Sequence, residues 1–433
     1  MTQPALIFDL GTTYFKAALL TGRDEFIAVV HVPTPITHPQ ADRSEMAVKD
    51  FLDAIGQLMA DLQRQSPRAY QQIQHISFAT QANTFVLLDE AFEPVTSFIV
   101  WDDRRAEAVV LPMGNAYHLT GLPELGVFNA PKKLQWIQQN MPEIWEKSHY
   151  FCFLSDYLTY CFTGKFVTEA GVAGLSGMVD IHRLCWLKEM MDVFGANALH
   201  FPDIQRAGTS LGTITTAASV KYQLNPDCRF TLGCLDQYAG VLAADLLGQD
   251  GICETTGTVL ATVRSAPNFD ASLQQYHIYQ GPSPHPDFYF RMLFTDVSAK
   301  LLAVFRKEYT PELSYEALDA MASQLPITDT SVELLDFDLN EPWFEFSGDT
   351  MKLDTAHQVQ AIYYKVAKSL KKQIKIHYPD VSPIRVRSLG GGANSAHWLG
   401  IKAHVLGIDV LAIQSEKPTC LGAYRLINKE ISS

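Results

Sequence analysis

Each half of this chain opens with a short apolar strand that runs directly into a polar turn. In the first half, Ala5 to Phe8 leads into Asp9-Leu10-Gly11-Thr12-Thr13, with Lys16 on the apolar run that follows. In the second half, Phe230-Thr231-Leu232 starts a new series of strands after a pause in the pattern at Asn225-Pro226-Asp227. Short strands that alternate with turns and amphipathic helices are typical of an α/β fold. The sequence therefore predicts two α/β lobes.

The length and composition agree with this division. A chain of 433 residues, 47% hydrophobic and 19% charged, is long and apolar enough for two or three domains. We place one lobe at residues 1–226 and the second at residues 227–433. Two helices are well marked: the apolar residues from Met46 to Leu62 share one helical face, and a long helix is predicted from about Thr355 to Ile376.

The charge and the cysteines exclude several classes of function. The net charge of −13 argues against an electrostatic grip on nucleic acid or on an anionic membrane. Seven cysteines without a CxxC pair do not indicate a disulfide framework or structural zinc. No secretion signal and no membrane-spanning run is evident. We therefore expect a cytoplasmic protein that binds neither nucleic acid nor membrane.

The first polar turn has the composition of a phosphate site. Glycine lets the backbone approach a ligand closely, and the amides and hydroxyls of Gly11, Thr12 and Thr13 are donors for phosphate oxygens. Asp9 ends a strand and is suited to hold a magnesium ion through water. An ordinary hairpin turn is the alternative for such a segment on its own.

Two further turns carry residues of the same kind. Glu254-Thr255-Thr256-Gly257-Thr258 lies between two predicted strands, and Ser388 to Ser395, with three successive glycines, lies between a strand and a helix. Because amides at a helix N-terminus attract anions, the glycine run is a candidate nucleotide site. The sequence contains neither GxGxxG nor GxxxxGK[ST], which disfavours a Rossmann or P-loop site.

An acidic residue stands at a predicted junction between a strand and a helix. Asp236 interrupts a run that is otherwise largely apolar from Phe230 to Leu247. An acid at such a junction either caps the helix or serves as a functional carboxylate, and this segment alone leaves both interpretations open.

In their order and spacing, these segments resemble the FGGY family of carbohydrate kinases, which belongs to the sugar kinase, hsp70 and actin superfold. The resemblance covers nearly the whole chain. Its other matching stretches are Phe98 to Arg105, Ala130 to Trp136, Pro142 to Trp145, Ser155 to Thr168 and Gly390 to Gly407. It implies two actin-like, ribonuclease H-like lobes with a catalytic cleft between them. It also implies ATP-dependent phosphorylation of a small sugar or polyol.

The resemblance also assigns roles to individual residues. Asp236 matches the family's catalytic base, and Asp9 matches the acid near Mg²⁺, for which Asp236 is a second candidate ligand. The residues that match the family's contacts to ATP are Asp9, Gly11, Thr12, Thr13 and Lys16 in the first turn, Gly257 and Thr258 in the second, and Gly391, Gly392 and Asn394 in the third.

The substrate side departs from better-known members of the family. At Ala82-Asn83, glycerol kinases carry an Arg-Glu pair and xylulokinases a Met-His pair, and this chain has neither. Our candidate sugar ligands are Gln81, Asn83, Trp101, Asp102, Asp236 and Gln237. We expect a ketose such as a pentulose, or a related polyol; Arg104 and Arg105 keep an aldonate open as an alternative.

Two other functions are compatible with the same fold. A sugar- or nucleotide-binding regulator without turnover is disfavoured because Asp236, Asp9, Thr12 and Gly257 are all present. An actin- or hsp70-like ATPase is disfavoured because the additional domains of those families are missing. The chain is shorter than most family members, so we expect a trimmed second lobe, and the resemblance suggests a homodimer.

Overall fold

The structure is a computed structural model that describes residues 3–22, 24–112, 114–257, 259–339, 341–348, 353–380, 383 and 385–428. Strands and helices alternate along the chain, which confirms the predicted α/β class. The strands are β1 (Ala5–Leu10), β2 (Tyr14–Thr21), β3 (Glu25–Pro33), β4 (Glu45–Met46), β5 (His75–Thr80), β6 (Phe85–Leu88), β7 (Phe98–Ile99), β8 (Tyr150–Phe153), β9 (Val167–Glu169), β10 (Val179–Asp180), β11 (Cys185–Trp186), β12 (Asp203–Gln205), β13 (Ser210–Thr213), β14 (Arg229–Thr231), β15 (Cys234–Leu235), β16 (Ile252–Thr256), β17 (Leu260–Ala266), β18 (Tyr279–Pro282), β19 (Tyr289–Thr295), β20 (Val332–Asp338), β21 (Trp343–Gly348), β22 (Val386–Leu389) and β23 (Val410–Ala412).

The helices include both of those that the sequence marks most clearly. They are α1 (Val48–Gln65), α2 (Pro67–Gln71), α3 (Tyr117–Thr120), α4 (Ala130–Asn140), α5 (Pro142–Lys147), α6 (Leu154–Thr163), α7 (Ala170–Gly174), α8 (Lys188–Val193), α9 (Thr216–Tyr222), α10 (Asp236–Ala243), α11 (Ala299–Tyr309), α12 (Tyr315–Ala322), α13 (Thr355–His377), α14 (Ala396–Leu406) and α15 (Pro418–Asn428). Short 3₁₀ helices lie at Ala196–Ala198, Ala271–Tyr276 and Gly391–Asn394. The third of these contains Gly391 and Gly392 of the glycine run, and Ser395 rather than a glycine caps α14.

Contacts along the chain divide it into two compact units. Unit 1 contains the described residues up to Ala243, those of Ala266–Phe290 and those from Glu416 onward; unit 2 contains Ala244–Ser265 and Arg291–Ser415. These units do not divide at residue 226, where the sequence pattern pauses. The reason is that β14 and β15 continue the sheet of unit 1 as parallel neighbours of β5, and that α10 packs against α15.

The main sheet of unit 1 is built around β1 and has the strand order β13-β14-β5-β1-β2-β3. β1 is antiparallel to β2 and parallel to β5. Leu6, Phe8 and Leu10 are fully buried in a core cluster that includes Phe51 of α1. Because successive side chains of a strand point to opposite faces, Asp9 is turned away from this cluster. It meets α15, which contacts both β1 and β5.

Unit 2 repeats this arrangement of strands. Its sheet contains the order β19-β17-β16-β22-β23, in which β16 is antiparallel to β17 and parallel to β22. Its core cluster centres on α13, with Ile362, Val366 and Leu370 all fully buried. Each unit thus contains a hairpin whose first strand also pairs in parallel with a later strand. Each hairpin bears one of the predicted phosphate turns.

Candidate active site

The first phosphate turn joins β1 to β2 and carries a close ion pair. Asp9 and Lys16 are register partners across this hairpin, and Lys16 Nζ donates to Asp9 Oδ2 at 2.8 Å. Burial alone lowers the pKa of Lys16, but the Asp9 carboxylate outweighs this effect, so the pKa is raised. The Asp9 side chain is 5% exposed and that of Lys16 is 31% exposed. Lys16 is therefore a cation that a ligand can reach.

Gln81 and Thr34 donate hydrogen bonds to the backbone of this turn. Gln81 Nε2 donates to the carbonyl oxygens of Leu10 and Gly11 at 3.4 and 3.3 Å, and Thr34 Oγ1 donates to Gly11 O at 2.9 Å. Gln81 Oε1 accepts from Thr84 Oγ1 at 2.9 Å. Gln81, a predicted sugar ligand, thus has both ends of its amide bonded within the chain.

Asn83, another predicted sugar ligand, is also bonded within the chain. Its Nδ2 donates to Leu175 O at 3.3 Å, and its Oδ1 accepts from the backbone amide of Ala130 at 3.1 Å. The residue has a positive φ of 59° and is 7% exposed. A sugar that bound Asn83 would have to replace these bonds, so the geometry favours a supporting position.

Trp101 and Asp102, two further predicted sugar ligands, follow β7, and Trp101 contacts the first turn. The Trp101 indole donates to Thr12 Oγ1 at 2.8 Å, and its ring packs edge-on against Phe128 at a centroid distance of 5.3 Å. Asp102 Oδ1 is buried and has no hydrogen-bond partner among the described residues. A buried acceptor without a donor is unfavourable, which sets Asp102 apart from the neighbouring Asp103, whose carboxylate accepts from Ser44 and Arg105. Thr13, which is exposed, lies on the outer side of the same turn as Thr12.

Lys133 bonds to the backbone at Trp101 and was missed by the sequence analysis. It is fully buried in α4, and its Nζ donates to the carbonyl oxygens of Val100 and Trp101 at 2.9 and 2.6 Å. Burial lowers its pKa to about 7 against the opposing effect of Asp103 and Asp102. The available signal was its position on the same helical face as two buried apolar residues, Ala130 and Ile137.

Asp236 is the first residue of α10 and directly follows β15, which confirms the predicted junction. Its Oδ1 accepts from the amide of Gln237, a second predicted sugar ligand at this junction, at 2.6 Å. Burial and then the charge of Asp9 raise the pKa of Asp236 to about 7, while the Gln237 amide and Lys16 act in the opposite sense. The side chain is still partly exposed. Asp9, Lys16 and Asp236 thus form one electrostatic cluster in unit 1.

Thr419 joins this cluster from the far end of the chain. Its Oγ1 donates to Asp9 Oδ2 at 2.8 Å, across a separation of 410 residues. Its helix, α15, packs tightly on α10: a Cβ added at Gly422 would lie 1.9 Å from Ala239 O. The C-terminal helix therefore contacts Asp9 and also supports the helix that begins with Asp236. The sequence offered no signal for the contact between Thr419 and Asp9.

The predicted nucleotide residues of unit 2 line a single cavity of about 460 Å³. They are Gly257, Gly391, Gly392 and Asn394; Thr258 lies outside the described residues. A Cβ added at Gly257 or Gly391 would have nothing within 4 Å, so the backbone there faces open space that a ligand can occupy.

Other residues of this cavity suit a nucleotide. Trp398 and Tyr363 stack at a centroid distance of 4.2 Å, and Lys300 contributes a cation. Asp319 Oδ1 accepts from Ser395 Oγ at 2.5 Å and from the Tyr363 hydroxyl at 3.0 Å. Lys300 and Asp319 stand on α11 and α12, which no sequence motif marks.

Pairs of acidic side chains are the candidates for a magnesium site. Among the described residues, no group of three or more His, Cys, Asp or Glu side chains could hold a metal ion. Mg²⁺ is commonly held by one or two carboxylates together with water and substrate phosphates. Asp9 and Asp236 are two such carboxylates, close enough for the charge of one to raise the pKa of the other. They therefore fit a magnesium ion of this kind.

Comparison with known proteins agrees with this geometry. The model of the N-terminal domain of the FGGY family of carbohydrate kinases matches residues 5–243, more than half of the chain. Xylulose kinase of Bacillus subtilis is 24% identical over 96% of this chain and 86% of its own length, and gluconokinase of the same organism is 22% identical over 98% and 86%. The crystal structure of ligand-bound xylulose kinase from Lactobacillus acidophilus, 19% identical, matches 98% of this chain and 89% of its own with a TM-score of 0.85.

The chain belongs to the FGGY family of carbohydrate kinases. It is an ATP-dependent phosphotransferase with an alcohol group of a small sugar as acceptor, and it has the actin-like fold of that family. In the part of the chain that the structure describes, we find no helix with the length and apolar character needed to cross a membrane.

Proposed function

We propose that this kinase transfers the γ-phosphate of ATP to a hydroxyl of a ketose such as a pentulose, with Asp236 as the general base. The observation that carries the proposal is the position of Asp236, a partly exposed residue at the start of α10 beside Asp9 and Lys16; its pKa, raised to about 7, agrees with this role. A general base works best when its pKa lies near the working pH. Asp236 would accept the proton of the sugar hydroxyl as its oxygen attacks the γ-phosphorus.

The turn between Asp9 and Lys16 would bind the transferred phosphate. Lys16 supplies the reachable positive charge, and Gly11, Thr12 and Thr13 supply amides and hydroxyls. Asp9 would hold Mg²⁺, and Asp236, as the base, would stay free to accept the proton of the sugar hydroxyl. When bound, this ion would neutralise charge on the phosphate groups. Because phosphoryl transfer asks little covalent work of a protein, positioning and charge would lower the barrier.

The cavity of unit 2 would bind a nucleotide. The open space at Gly257 and Gly391 allows phosphates to approach the backbone. The stacked rings of Tyr363 and Trp398 form part of the cavity wall against which the adenine base would lie.

Two observations favour a ketose over an aldonate. Arg105 is buried and paired with Asp103 at 2.8 Å and Glu45 at 2.5 Å, while Arg104 pairs with Glu107 at 2.9 Å. Both are therefore engaged with acids of the chain itself. The unpartnered oxygen of Asp102 would repel a substrate carboxylate and would accept a bond from a neutral hydroxyl.

The test is ADP formation with a panel of pentuloses, hexuloses, polyols and aldonates. We expect the highest kcat/KM for a ketose, and we expect Asp102→Ala to lower that value while Asp102→Asn retains part of it. A best substrate among the aldonates would overturn the assignment. Assembly as a homodimer, a cytoplasmic location and the lack of a nucleic-acid partner stay predictions from the sequence.

A further inference from the structure

Beneath the two turns of unit 2 lies an ion pair that no ligand can reach. Lys402 of α14 and Glu254 of β16 meet with Nζ and Oε1 2.6 Å apart, and both side chains are 0% exposed. Neither residue belongs to the nucleotide cavity described above. Two full charges in a protein interior are costly unless they are paired and hydrogen-bonded, so the surroundings of this pair matter.

Two hydroxyl groups complete the pair. Thr256 Oγ1 donates to Glu254 Oε2 at 2.7 Å and accepts from Lys402 Nζ at 2.9 Å. Ser388 Oγ donates to Glu254 Oε1, and Lys402 Nζ donates to Ser388 Oγ at 3.4 Å. We call these four residues the buried cluster. They are all fully buried and join β16, β22 and α14.

The buried cluster lies directly under both nucleotide turns. Gly257 follows Thr256, and the glycine run begins two residues after Ser388. A Cβ added at Gly390 would lie 2.7 Å from Thr256 O, and one added at Gly392 would lie 2.8 Å from Thr256 Cγ2. The third turn therefore packs directly against Thr256. Lys402 binds the hydroxyl of the same residue.

Stability alone does not account for such a cluster. Replacing a buried ion pair by apolar residues of similar volume is often neutral or stabilising, so its contribution to folding is a weak reason for its presence. Its four members instead connect the second and third turns. The affinity for a nucleotide would depend on the relative position of these two turns. A small misplacement of binding groups can cost a large factor in rate or affinity.

We propose that Lys402 and Glu254 are positioning residues that fix the second and third turns at the spacing at which they bind the nucleotide phosphates. This inference rests on the proposed function of the unit 2 cavity. Neither side chain touches ATP: they act through Thr256 and through the backbone at Gly257 and Gly390. Removal of the pair should therefore weaken nucleotide binding and leave the binding of sugar unchanged.

The test compares a matched double variant with a core control. Lys402→Met alone would leave Glu254 charged and buried and would confound binding with folding. Glu254→Gln/Lys402→Met removes both charges and retains an acceptor for the hydroxyls of Thr256 and Ser388. Leu370→Ala, in the core cluster on α13, is a destabilised control away from the turns. For each protein we would measure thermal unfolding, the KM of ATP and of the sugar, and ADP affinity by calorimetry without sugar.

For the double variant we expect the KM of ATP and the Kd of ADP to rise by about tenfold or more, with the KM of the sugar unchanged. For Leu370→Ala we expect a lower unfolding temperature and unchanged nucleotide affinity. A double variant with the nucleotide affinity of the wild type would overturn the inference, as would a parallel rise in both KM values. If the wild type binds ADP but phosphorylates no sugar, the proposed function fails, and the calorimetric comparison still decides the role of the pair.

Discussion

The hairpins β1–β2 and β16–β17 carry similar turns but use charge in opposite ways. At the first, Lys16 is 31% exposed and Asp236 is partly exposed, so their charges can act on a ligand. At the second, Lys402 and Glu254 are 0% exposed, so their charges can act only on the surrounding chain. A phosphate site needs reachable charge and a rigid backbone. The first turn supplies reachable charge in unit 1; in our proposal, the buried cluster keeps the backbone of the two turns in unit 2 rigid.

The largest effect on activity is expected from a substitution of Asp236, the partly exposed carboxylate. Asp236→Asn removes the proposed base and should lower kcat by about 10²- to 10⁴-fold, the usual range for general acid–base catalysis. Thermal unfolding and ADP affinity should stay close to those of the wild type. Steady-state kinetics with the best sugar of the panel provide the measurement. A loss of less than tenfold would assign the base to another residue.

The next largest effect is expected on protein stability, which should fall more in a variant of Lys402 than in a variant of Lys16. Lys402→Met leaves a buried charge without its partner, which typically costs about 3–5 kcal/mol. Lys16→Met leaves the Asp9 carboxylate, which is 5% exposed, without its cation but still bonded to Thr419, so we expect a smaller loss of stability. Hydrogen exchange in β16 and α14 for the first variant, and in β1 and β2 for the second, measures both changes locally. Equal losses of protection would remove the distinction between the two turns.

The pH dependence of activity should also differ between variants of Lys16 and Lys402. Asp236 must be ionised to act as a base, so with a pKa of about 7 activity should rise as the pH is raised through 7. Lys16 lowers this pKa by its positive charge, so Lys16→Met should move the rising limb of kcat/KM to higher pH. Lys402→Met should leave the limb in place. A limb near the ordinary pKa of Asp, about 4, would contradict the raised pKa.

The smallest and most local effects are expected from alanine substitutions at Gly391 and Gly390. Gly391→Ala places a methyl group in open space of the cavity and should raise the KM of ATP several-fold with little loss of stability. Gly390→Ala should destabilise unit 2, because Gly390 has a φ of 87° and its new Cβ would lie 2.7 Å from Thr256 O. Thermal unfolding and ATP kinetics of both variants test this. An unaffected ATP KM in Gly391→Ala would show that no ligand approaches that glycine.

Local patterns predicted the fold and part of the candidate site. Strand-and-turn spacing located Asp9, Lys16 and the Asp236 junction, because those positions depend on neighbouring residues. Lys402 had an overlooked signal: it lies four residues after Trp398, on the buried face of α14. A lysine on such a face must find a partner in the interior, but the sequence does not name Glu254 as that partner.

Long-range contacts account for what the sequence analysis missed. Thr419 meets Asp9 only because α15 returns to β1 after the whole of unit 2. Gln81 and Asn83 were predicted as sugar ligands, but which groups they bond depends on the backbone that surrounds them. In the structure that backbone belongs to Leu10, Gly11 and Leu175.

The most direct test of the central claim follows the phosphate itself. The wild-type protein is mixed with ATP labelled at the γ-phosphate, with and without a pentulose, and the labelled products are separated. Our account predicts that the label moves to the sugar, and that ATP is consumed only when the sugar is present. Release of labelled inorganic phosphate at the same rate with and without sugar would contradict it.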